Sequence, residues 1–94
     1  MSMEISADNT TPEIAPTFRL QWEKAQDCYV VLYPEGMVKL SQSAGEIMKR
    51  IDGEQTVGDI IADLQQQFPD ADLEQDVRKF MEVAHDNGWI RSKQ

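Results

Sequence analysis

Every β-forming run in this chain lies within its first 41 residues, and every helical pattern follows them. In 94 residues that order leaves room for one domain, a short sheet first and helices packed behind it. Phe18-Arg19-Leu20-Gln21-Trp22-Glu23 alternates apolar and polar, as a strand with one buried face does. Lys24 to Asp27 is a polar turn, and Cys28 to Tyr33 is a β-branched and aromatic run expected to be covered on both faces. Pro34-Glu35-Gly36 predicts a tight turn, with Pro restricting φ and Gly free to take positive φ. Met37 to Leu40 returns as a short third strand. Residues 1–16, rich in Ser, Thr, Asn and Pro, read as a flexible arm, leaving residues 17–91 as the domain.

The helices are announced by their ends. Ser43-Ala44-Gly45-Glu46 has the form of a capping box, followed by Ile47, Met48 and Ile51, with Gly53 as terminator. Thr56 is expected to cap a second helix whose apolar face is Val57, Ile60, Ile61, Leu64 and Phe68. Asp72 opens a third, with Leu73, Val77, Phe80 and Ala84 on one stripe and Asn87-Gly88 as a left-handed stop. Trp89 and Ile90 are expected to fold back over the core. The predicted class is α+β: a winged-helix-like domain with an N-terminal three-stranded antiparallel β-meander followed by a three-helix bundle.

Composition removes several functions. One cysteine, Cys28, and one histidine, His85, allow neither an intrachain disulfide nor a multi-ligand Cys/His metal site. No glycine pattern forms a phosphate loop, so no nucleotide or other cofactor is expected. His85 has no Ser or Cys near it in sequence to serve as a nucleophile, which argues against an enzyme. The net charge is −8, and Asp52, Glu54, Asp59, Asp63, Asp70, Asp72, Glu74 and Asp76 follow one another without an intervening Lys or Arg. Such a surface repels nucleic-acid backbones and anionic membranes. An acidic winged-helix transcription regulator is therefore the weaker alternative, since its recognition helix would carry more acidic than basic residues. No signal-like or membrane-spanning run is visible, so a soluble, cytoplasmic protein is expected.

What the pattern favours is an adaptor. The third strand ends a meander and should expose one row of backbone groups, the single open edge expected of this sheet, onto which an extended peptide can add. Gly36, Met37, Val38, Lys39, Leu40 and Ser41 would supply that edge, and Pro at Val38 or Leu40 is the substitution that would probe it. Val77, Arg78, Met81 and His85 would line the adjoining groove, Lys39 and Arg78 supplying positive charge for an acidic peptide. Met81 reads equally well as peripheral core and Arg78 as a solvated charge. The same open edge would allow a homodimer.

These residues also carry a family resemblance. Leu32-Tyr33-Pro34-Glu35-Gly36, Val38-Lys39-Leu40, Ser43-Ala44-Gly45-Glu46-Ile47-Met48, Asp52-Gly53, Thr56-Val57, Ile60-Ile61, Asp76-Val77 with Phe80, and Gly88-Trp89-Ile90 together resemble the PqqD family. The resemblance covers about Phe18 to Ile90. It implies a non-enzymatic peptide chaperone of pyrroloquinoline quinone (PQQ) biosynthesis that holds the precursor peptide PqqA and presents it to PqqE, a radical S-adenosylmethionine enzyme. It further implies binding of the peptide as an added strand against Met37 to Ser41, packed on the Val77 to His85 face. A leader-recognition domain of a different peptide-modification pathway is the alternative within the same class.

Overall fold

A computed structural model describes residues 4–93. In chain order the elements are β1 (Pro12–Ile14), β2 (Arg19–Glu23), β3 (Cys28–Tyr33), β4 (Gly36–Lys39), α1 (Gln42–Met48), α2 (Val57–Gln67), α3 (Glu74–Asp86) and β5 (Ile90–Ser92). The strands form two antiparallel sheets, a three-stranded one in the order β2-β3-β4 and a two-stranded one pairing β1 with β5. The α+β class, with three helices and antiparallel strands, is as the sequence predicts. The smaller sheet is not expected: Pro12–Ile14 falls in the stretch read as a flexible arm, and the sequence predicts no strand after Gly88.

The three-stranded sheet turns its Leu20, Val31 and Val38 row toward the helices, since those residues stand opposite one another in register. Val30 and Val31 are both fully buried, as expected of a central strand covered on both faces. Behind the inner face lies the core: Val31, Leu40, Ile47, Met48, Ile51, Val57, Ile60, Leu64, Val77, Met81, Ala84 and Ile90. Trp22 packs its ring edge-on to Tyr29 at 5.0 Å between centroids, yet remains half exposed at the margin of the sheet.

Several local expectations shift. Gly36 takes no positive φ, because the turn is the two residues Pro34 and Glu35 and Gly36 is already the ladder partner of Tyr33. Asp27, closing the β2–β3 turn, carries a positive φ of 55° instead. α1 is capped by Ser41, whose hydroxyl accepts from the Ala44 amide, rather than by Ser43. The chain is still extended at Ser41, so the helix starts two residues earlier than expected. The reciprocal capping box belongs to α2, where Thr56 and Asp59 exchange side-chain to backbone hydrogen bonds at 3.1 Å. No side chain caps α3. α1 ends at Met48, so Gly53, with φ of 77°, shapes the following loop rather than the helix end.

The C-terminal stop of α3 is as expected. Gly88 has φ of 81°, its amide donates to the His85 carbonyl, and the Trp89 amide donates to the Ala84 carbonyl, each at 2.9 Å. That pair of bonds is a Schellman motif. It reverses the chain so that Ile90 enters the core and β5 reaches β1.

Residues 5–14, expected to be a flexible arm, pack onto the domain. Ile5 joins the core, Thr10 is buried with its hydroxyl donating to the Glu4 carbonyl, and β1 pairs with β5. The Thr10 and Asp8 carbonyls accept the amides of Val57 and Gly58 at 2.8 and 2.9 Å. With Thr56 covering the Asp59 amide, the first three orphan donors of α2 are all satisfied, two of them by this segment.

Candidate functional site

The geometry of β4 follows from one ladder bond. The Leu40 amide donates to the Tyr29 carbonyl at 2.9 Å, so Leu40 and Tyr29 form a hydrogen-bonded pair. In an antiparallel ladder such pairs alternate with non-bonded ones. In the register Tyr33↔Gly36, Leu32↔Met37, Val31↔Val38, Val30↔Lys39, the inward-bonding residues of β4 are therefore Gly36, Val38 and Leu40. Met37 and Lys39 direct their N–H and C=O groups to the other side, where no strand lies among the described residues. The side chains alternate as well: Val38 and Leu40 point to the helices, Met37 and Lys39 to the outer face.

β2 is also an edge strand, so among the described residues the sheet has two free edges rather than the one expected. β4 has a hollow near each of its ends. One, about 870 Å³, opens between the start of α1, the α2–α3 connection and α3, with Ser41, Ala44, Ile47, Asp76, Phe80 and Val83 among its lining. The other, about 490 Å³, lies at the β3–β4 turn and is lined by Phe18, Tyr33, Val38, Asn87 and Trp89. Val83, on the lining of the larger hollow, remains 46% exposed, and Met37, on the outer face of β4, 47%.

Among the described residues Lys39 and Lys79 make no ion pair, although acidic residues outnumber basic ones across the chain. Glu46, at the wall of the larger hollow, is engaged instead by Arg50, whose guanidinium is 7% exposed and binds Glu46 at 2.9 Å and Asp63 at 2.5 Å. The Arg50 hydrogen bond holds the Glu46 carboxyl below its usual value, against burial that pushes it up. Arg50 thereby ties α1 to α2 behind the groove.

The residues singled out from sequence divide sharply. Gly36, Met37 and Lys39 form the exposed edge, Val38 is half-buried beside the smaller hollow, Leu40 is core, and Ser41 caps α1. On α3, Val77 and Met81 are fully buried; Val77 still reaches the floor of the larger hollow, and Met81 is core. Arg78 is not at the groove. It binds the Ser6 carbonyl at 2.6 Å, Glu74 at 3.1 Å and the Asp8 carboxylate. His85 is exposed on the Arg78 side of the helix. At 100° per residue, Arg78 and His85 flank the buried Val77–Met81–Ala84 row on one side, Phe80 and Val83 on the other. The wall that faces the hollow is the second, with Asp76 and Lys79 at its rim. Phe80, expected on the core stripe, and Val83, which the sequence pattern does not single out, stand on this wall. The signal for both was present, since Val77, Phe80, Met81, Val83 and Ala84 make a stripe wider than a core row needs.

An unpaired strand edge with a hollow near each end, one of them walled by exposed apolar side chains of α3, is the arrangement of a peptide-recognition domain. A family model described as Coenzyme PQQ synthesis protein D (PqqD) matches residues 28–90, and the chain belongs to that family. The chain is 48% identical over 83 residues to the PqqA binding protein of Azotobacter vinelandii, covering 87% of this chain and 90% of that one. It is 52% identical over 83 residues to the PqqA binding protein of Acinetobacter baylyi, covering 87% and 84%. Among solved structures it resembles the PqqD truncation of Methylobacterium extorquens PqqCD, determined in solution by NMR. That protein is described as a functional, stand-alone recognition element for ribosomally synthesised and post-translationally modified peptides. The TM-score is 0.67 at 27% identity, over 95% of this chain and 99% of that one.

Proposed function

We propose that this protein is a cofactor-free peptide chaperone of PQQ biosynthesis, which holds the precursor peptide PqqA as an added strand on the edge of β4 and presents it to the radical S-adenosylmethionine enzyme PqqE. The observation that carries this reading is the outward pair of backbone groups at Met37 and Lys39, beside a groove walled by Phe80 and Val83. Strand addition would satisfy those groups and cover that wall in one event. The names of the curated relatives supply the peptide. In the same reading the β2–β4 sheet is the wing of a winged-helix-like domain, the protein works in the cytoplasm, and the free edges allow a homodimer when no peptide is bound.

Titration calorimetry with a synthetic PqqA peptide, against a scrambled peptide of equal charge, tests the function. Binding of the native sequence alone is the expected result. Equal heats from both peptides, or none from either with folded protein, would remove the chaperone reading.

A further inference from the structure

The phase of β4 does more than admit a strand; it decides which side chains of that strand are read. This step rests on the strand-addition reading above. In either a parallel or an antiparallel ladder, residues directly opposite one another put their side chains on the same face. A peptide residue opposite Val38 or Leu40 therefore points inward, and the residue between them, opposite Lys39, points to the outer face. The inward positions are two residues and about 6.7 Å apart. One lies over the Val38–Trp89 hollow, and the next leads toward Ser41, Ala44 and Phe80.

The outer face has a different chemistry. Lys39 stands in a row with Val30 and Gln21, and Met37 in a row with Leu32 and Arg19. Neither row contains an acid; Glu23, the acid of β2, stands opposite Cys28 in the next row. Lys39 makes no ion pair among the described residues, so its ammonium has no internal competitor for an incoming carboxylate.

We propose that the site selects extended peptides with large apolar side chains at i and i+2 and a carboxylate at i+1. The two apolar residues fill the hollows at the ends of β4, and the acid meets Lys39 on the opposite face.

Three synthetic peptides in one Thr/Ser-rich host would test it, with guest triads Leu-Glu-Phe, Leu-Phe-Glu and Leu-Lys-Phe, each titrated into 15N-labelled protein. The first two share composition, and sliding the register cannot rescue the second. Leu-Phe-Glu should bind at least about tenfold more weakly, because one of its apolar residues must always face outward. Leu-Lys-Phe should bind about fivefold more weakly, the scale of a cross-strand charge pair. In Lys39→Glu the order of Leu-Glu-Phe and Leu-Lys-Phe should invert. If all three shift the Met37 and Lys39 amides with equal affinity, the motif is wrong and strand addition stands. If no peptide, PqqA included, shifts those amides, strand addition and the motif fall together.

Discussion

Arg78 and Asp8 form an ion pair across 70 positions of sequence, and the same guanidinium donates to the Ser6 carbonyl and to Glu74. The pair fastens the N-terminal segment to α3 on the flank away from the groove. Arg78→Ala should therefore lower stability by about 1–2 kcal/mol, the scale of a partly exposed ion pair plus one charged hydrogen bond. Peptide affinity should be unchanged. Urea melts and calorimetry on the same preparation separate the two readouts, and a loss of affinity without loss of stability would return Arg78 to the site.

The backbone phase of β4 makes a position-specific prediction. Lys39→Pro deletes an amide that faces outward, so the fold should survive and peptide affinity should drop about tenfold for the lost bond. Val38→Pro deletes a bond to Val31 and should disrupt the hairpin itself. Circular dichroism and a binding titration on both variants check this. A Lys39→Pro protein that binds normally would place the peptide elsewhere.

The two flanks of α3 can be told apart in the same way. Val83→Asp puts a charge on an exposed apolar position of the groove wall. It should change stability by no more than about 0.5 kcal/mol, as surface substitutions do, while weakening peptide binding about tenfold or more. His85→Ala should change neither.

Gly45 looks from sequence like a helix position where Ala would help, worth up to about 1 kcal/mol of propensity. A Cβ there would stand 3.0 Å from the Tyr29 ring, which is itself held against Trp22. Gly45→Ala should instead destabilise by about 1–2 kcal/mol as the aromatic pair is pushed apart. A shift in Trp22 fluorescence, resolved from Trp89 by a Trp89→Phe background, would accompany the loss.

Glu46 sets a pH dependence. Its folded pKa is depressed by Arg50, so its contribution to stability is fully present above the ordinary glutamate value of about 4.3 and is lost as pH falls through the lower folded value. Urea midpoints should decline from about pH 5 downward, and Glu46→Gln should flatten part of that decline. An unchanged slope in the variant would assign the acid sensitivity to other carboxylates.

Legibility tracked distance along the chain. β3 was readable to the residue because six successive β-formers leave little choice, and α2 because Thr56, its apolar spacing and Pro69 agree. β1 and β5 were not readable: each is three residues long and gains meaning only from a partner on the other side of the domain. Ile5 and Ile14 were the one hint, two isoleucines in a stretch rich in Ser, Thr, Asn and Pro. At the site, the edge strand was legible from its place in the meander. Its phase was not, since that depends on the bond between Leu40 and Tyr29 rather than on any residue type. Which flank of α3 borders the hollow was not legible for a related reason. Both flanks border the same buried row, and only the docking of residues 6–8 beside Arg78 shows which one stays open.

Pro12 stands opposite Ser92 in the small sheet, with Gly53 bonded to the Pro12 carbonyl and Lys93 reaching back to the Gly53 carbonyl. Topologically the molecule is closer to a ring than to a string. The stretch from Pro12 to Ser92 is closed on itself by this ladder, so pulling β5 away from β1 would also release Gly53 and the loop it shapes.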